Sequence, residues 1–148
     1  MNDYPRTGLR LRSEPDVDPE VRIACINFCK WLRTQMEFPI RVVIYLKKDY
    51  QIKNRTTKEE VTATFFAPYE KDVEPYIRIA TGDYKDLIRE RGKMDALYAM
   101  LGSISHELCH YQQWLEDKEL EEEEEEAEEK GSQLVDEYAE NIDSILDF

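Results

Sequence analysis

The sequence predicts an α+β domain, and three observations lead there. Apolar residues recur at helical spacing over about 19–36, 93–118 and from 120 to the C-terminus. Three runs between them, 41–47, 61–67 and 76–81, are rich in β-branched and aromatic residues and bounded by Pro, Gly or polar loops. The 148-residue chain is 41% hydrophobic, enough for one core, while 36% charged residues leave a very polar surface.

In chain order, residues 1–18 are polar, carry Pro5 and Pro15, and gather Arg6, Arg10 and Arg12. They are expected to form a flexible leader, with 19–148 as the single folded domain. Pro19 suits a helix's first turn, and Val21, Cys25, Phe28, Leu32 and Met36 then share a face until Phe38-Pro39 stops it. Arg41 to Lys47 is nearly continuously apolar, as a strand covered on both sides would be. Asp49 to Glu60 reads as a loop. Val61 to Ala67 alternates Val61, Ala63 and Phe65 against Thr62, Thr64 and Phe66. Tyr76 to Thr81 is the third strand, with Gly82-Asp83 as its turn. Asp83 is placed to cap a short helix, Tyr84 to Arg91, which Gly92 closes.

The long helix from about Lys93 to Lys118 carries His106-Glu107-Leu108-Cys109-His110. This is H-E-x-x-H, and the chain's two histidines are both in it. Residues four apart on a helix lie one above the other, so both imidazoles can grip one ion. Glu107, one step round from His106, can reach a water held there. Two neutral imidazoles, a carboxylate base and an open coordination position are what a zinc peptidase needs. At about 100° per residue, Leu97, Leu101, Ile104, Leu108, Tyr111 and Leu115 form one apolar stripe. The histidines fall nearly opposite it, among Ala99, Gly102, Ser103 and Cys109, small residues that let a neighbour approach.

A third ligand must come from elsewhere in the chain. Gln113 and Glu116 stand where a helix-breaking Gly and a third His would place the ion in one group of HExxH enzymes, so the helix continues and Glu116 cannot curl back. The alternative is a Glu on the next helix, where nine glutamates lie between Glu119 and Glu129. Leu120, Ala127, Gly131, Leu134, Tyr138 and Ile145 form a narrow stripe. Glu124 falls inside it, Glu123 at its edge, and Glu126 points well away. A carboxylate within an apolar stripe is costly unless paired or metal-bound, which favours Glu124, with Glu123 and Glu126 as the alternative registers.

The segments HELCHYQQW, Glu124-Glu125-Glu126-Ala127 and Leu134-Val135-Asp136-Glu137-Tyr138 resemble those of small gluzincin-type zinc metallopeptidases, the minigluzincins among them. The resemblance spans about Ser103 to Tyr138, and its E-x-x-A glutamate falls on Glu124. It implies a minimal zincin-like domain: N-terminal helix, small three-stranded sheet, active-site helix and glutamate helix. It also implies Zn2+ on His106, His110 and Glu124, with Glu107 as the base in metal-assisted hydrolysis of a peptide or protein substrate. Latency, through a terminal segment lying in the cleft, occurs in minimal members of that family.

The same reading expects Tyr76 to Thr81 to border the cleft and accept a peptide as a further strand. Tyr111 and Tyr138 are eligible oxyanion partners by position, with a core role the simpler account of each. Gln113 lies on the histidine side, where its amide would orient a ligand or face solvent. A different class also fits: a zinc-stabilised, non-catalytic interaction protein whose acidic helix binds a basic partner. The net charge of −13 disfavours nucleic acid. No run of about 18 apolar residues exists, and the first 18 residues lack the apolar centre of a signal peptide. No membrane association is expected. Cysteines at 25, 29 and 109 suit a reducing, cytoplasmic setting better than a disulfide scaffold, and the 25/29 pair reads as one apolar helix face rather than as ligands.

Overall fold

The computed structural model describes residues 6–55, 57–117 and 123–146, with side chains of the last helix described to residue 142. The expectations for Lys118, Leu120, Glu119, Glu121, Glu122 and the Ile145 side chain lie outside these residues. The molecule is α+β. It has strands β1 (Leu9–Ser13), β2 (Val42–Lys47), β3 (Ile52–Lys53), β4 (Glu60–Val61), β5 (Ala63–Phe66) and β6 (Tyr76–Ala80). The helices are α1 (Pro19–Gln35), α2 (Tyr84–Arg91), α3 (Lys93–Leu115) and α4 (Glu123–Leu146).

The main sheet has four strands in the order β1-β2-β6-β5, not three. β1, β2 and β6 run parallel, and β5 closes one side antiparallel to β6. The added strand corrects the expectation of a flexible leader over 1–18. Leu9 is buried, Leu11 half-buried, and Arg10 and Arg12 point outward, the period-2 alternation of a strand with one covered face. The Arg33 guanidinium ties this strand to α1 by donating to the Leu9 carbonyl from Nε and Nη2 (3.2 and 2.7 Å). The 61–67 run is also broken: β4 pairs with β3 in a separate two-stranded ribbon, and Thr62 separates it from β5.

One sheet face and the helices enclose the core. Val42, Ile44, Leu46, Ile77 and Ile79 meet Val21, Phe28 and Leu32 of α1 and Ile104, Leu108 and Tyr111 of α3, all fully buried. Cys25 and Cys29 are free and buried on the apolar face of α1. Burial drives both thiols up, Cys29 to about 12.

Helix starts and stops follow local chemistry. The Asp18 side chain accepts from the Glu20 N–H (2.9 Å), with Pro19 in the first turn. α2 ends at Gly92, whose φ of +86° suits glycine. Asp83 precedes α2 but makes no side-chain capping bond, contrary to expectation, and burial raises its carboxyl above the usual range. Tyr111 and Tyr138 are core residues. The Tyr111 hydroxyl donates to the Ile40 carbonyl, and Tyr138 packs against Phe28 and Trp31 at 4.9 and 5.2 Å between ring centroids.

Candidate metal centre

α3 has two working faces. Its Leu101, Ile104, Leu108 and Tyr111 side is buried in the core, with Leu97 and Leu115 half-buried at the margins, so the i, i+4 pair His106 and His110 points away from the sheet towards α4. The imidazole centroids are 4.9 Å apart with the rings inclined at 75°. Facing them, one Glu124 oxygen lies 3.3 Å from His106 Nε2 and the other 2.8 Å from His110 Nε2. Ligand atoms of the three residues all lie within 4.8 Å of one another.

α4 reaches this position because it has no side chain where it crosses α3. A Cβ on Gly131 would stand 3.1 Å from the His106 backbone nitrogen and 3.2 Å from its Cα. Ala127, one turn earlier, is fully buried in the same contact. The small residues on α3 serve differently from expectation. Nothing lies within 4 Å of a Cβ placed on Gly102, and with Ala99 and Ser103 it lines an open groove instead of a helix contact.

Gln113 is the residue sequence reasoning left undecided, and it is 2% exposed. Its Nε2 donates to the Glu123 carbonyl (2.8 Å) and to Glu126 Oε1 (3.2 Å). Two acceptors on that side fix the amide orientation, so Oε1 faces His110 Nδ1 at 2.7 Å. Nδ1 therefore carries a proton, and Nε2 is the nitrogen turned towards the cluster, 2.8 Å from Glu124. The same amide draws Glu126 away from the histidines. Far from pointing well away, as helical phase alone implies, Glu126 is half-buried against Gln113 and Lys130. Among the described residues the cluster includes Glu124 and neither Glu123 nor Glu126.

Glu107 is 8% exposed. Burial pushes its carboxyl up to about 7, with His110 pulling it down and Glu124 adding to the rise. Cys109 is buried and outside the cluster, its thiol pushed up to about 11 by burial.

The strand beside the site is β5, not the Tyr76–Thr81 strand expected there. β6 is paired on both sides, by β2 and β5, and so has no free edge. A groove of about 780 Å³ runs between β5 and the two helices, lined by Ala63, Phe65 and Ala67 on one wall and His106, Glu107 and Trp114 on the other.

No family model, no curated protein and no solved structure matches this chain.

Proposed function

We propose that the chain is a single-zinc peptidase of the gluzincin type, with His106, His110 and Glu124 as ligands and Glu107 as general base. The observation that carries this is the convergence of two imidazole Nε2 atoms and one carboxylate from two helices. Two imidazoles and a carboxylate are donor types that zinc takes, and its bonds of about 2.0–2.1 Å in a tetrahedron place neighbouring ligand atoms roughly 3.3–3.4 Å apart. Glu124 lies 3.3 Å from His106 Nε2 and 2.8 Å from His110 Nε2, with the donors of all three within 4.8 Å of one another, so side-chain shifts would complete the tetrahedron. Gln113 holds His110 in the tautomer a metal requires. Bound there, zinc would supply Lewis-acid activation of water and of the scissile carbonyl.

The chain's own groups supply the rest. Glu107 lines the groove and has its carboxyl raised towards neutrality, the condition in which a carboxylate best takes a proton and returns it to a leaving amine. Among the described residues β5 pairs with β6 on one side only, which leaves its other edge to hydrogen-bond an extended peptide. A metal that merely stapled two helices would have no use for a buried carboxylate facing a groove, which favours the catalytic reading over the interaction-protein one. Latency through residues 9–13 has no support, since they form β1 at the opposite sheet edge from β5.

The test is metal-dependent cleavage of a peptide library, read by mass spectrometry. Chelated protein should be inactive and regain activity with one zinc per chain. Glu124→Gln should lose both zinc and cleavage, while Glu123→Gln and Glu126→Gln stay within a few-fold of wild type. Equal, mild losses at all three positions would mean that an acidic helix merely attracts cations. Cleavage that survives chelation would refute the metal-dependent reading.

A further inference from the structure

The groove continues on both sides of the histidine pair. One arm, about 530 Å³, passes Thr62, Tyr98, Gly102 and Ser132, and the other, about 780 Å³, passes Phe65, Ala67 and Trp114. His106, Glu107, Val61 and Ala63 line both. Charge is distributed unevenly along this path. Glu59, Asp117 and Glu123 line the Trp114 arm. Asp117 is paired with Lys71 at 2.9 Å, whose ammonium sits 4.2 Å from the Trp114 ring centroid. Among the described residues, Glu59 and Glu123 make no side-chain ion pair. In the other arm Glu128 and Asp136 are offset by Arg91.

An acidic lining alone would describe a solvated surface. Glu107 is a second sign that something binds here: it is 8% exposed, lines both arms, and accepts no hydrogen bond from any described residue. A buried carboxylate with no donor is unfavourable unless an incoming group supplies one.

Resting on the peptidase reading above, we propose that the groove selects cationic peptides, with Lys or Arg on the side of the scissile bond that lies in the Trp114 arm. Glu59 and Glu123 are the specificity-determining residues. Neither touches the reacting atoms. Each contributes by facing a substrate cation across the groove, Glu59 from an exposed position and Glu123 half-buried, an attraction that weakens as salt rises.

The experiment uses zinc-loaded full-length protein and peptides of one length, carrying Lys, Ala or Glu at each position flanking the scissile bond. Lys on one flank should raise kcat/KM over Ala by roughly five- to ten-fold at low salt, Glu should lower it comparably, and about 0.5 M salt should largely erase both effects. The double variant Glu59→Gln/Glu123→Gln should cleave the Ala peptides at the wild-type rate and lose the Lys preference. Equal cleavage of Lys and Ala peptides, or a preference untouched in the double variant, would overturn the inference and leave the peptidase reading standing. Fluorescence anisotropy of the same labelled peptides on metal-free protein separates the opposite failure. Salt-sensitive binding of Lys peptides that are never cut would retain the charge selection and remove the catalysis. Neither binding nor cleavage would remove both.

Discussion

Gln113 decides which nitrogen of His110 is available. Its amide is held by the Glu123 carbonyl and Glu126 on one side and offers its oxygen to His110 Nδ1 on the other. Gln113→Leu removes that acceptor and frees the imidazole to rotate or change tautomer. Zinc affinity should fall roughly 10- to 100-fold, as for other partners that orient metal ligands, measured by competition with a chromophoric chelator. Unchanged affinity would show that His110 is held by packing alone. The residue scale is also where the sequence was most legible. An i, i+4 histidine pair in a chain with two histidines points to its own geometry. Helical phase singled out Glu124, and the structure sets its carboxylate against both histidines, but with the side chain 79% exposed at the end of α4 rather than buried in an apolar stripe. Phase misjudged Glu126 because it counts angles round one helix, whereas a long side chain follows the hydrogen-bond partner on the next.

At the scale of elements, the crossing of α3 and α4 fixes the site. The backbone of His106 sits against Gly131 closely enough that a Cβ would already crowd it, and a longer side chain would force the helices apart. Gly131→Leu should cost about 1–3 kcal/mol of stability through overpacking, read by denaturant unfolding of the metal-free protein. It should also weaken zinc binding far more than a distant substitution of equal destabilisation, because Glu124 rides on the helix that moves. A variant that binds zinc normally would mean α4 can shift without carrying its carboxylate away. The strands were less legible than the helices. The Leu9-Arg10-Leu11-Arg12 alternation was present, but prolines and like charges around it read as a leader. Strand order could not be read at all. A run such as Tyr76–Ala80 looks the same at an edge or in the middle, and long-range pairing alone makes it central and leaves β5 beside the groove.

For the molecule as a whole, β1 makes residues 9–13 part of the domain. It completes the sheet edge beside β2, puts Leu9 into the core and is bonded to α1 through Arg33. Leu9→Ala should therefore cost about 2–4 kcal/mol and lower Tm by roughly 6–14 °C, whereas a side chain in a loose leader would change neither. The whole fold then serves one arrangement, with a core-facing stripe on α3 holding the opposite face rigid beneath α4 and the free edge of β5. The central claim, that this arrangement hydrolyses peptides through Glu107, is tested most directly by Glu107→Gln. Zinc content and the cleavage rate of a susceptible peptide are measured on the same preparation. The account predicts one zinc per chain, as in wild type, with cleavage reduced by about 10²–10⁴. A variant that keeps its zinc and cleaves at the wild-type rate would contradict it.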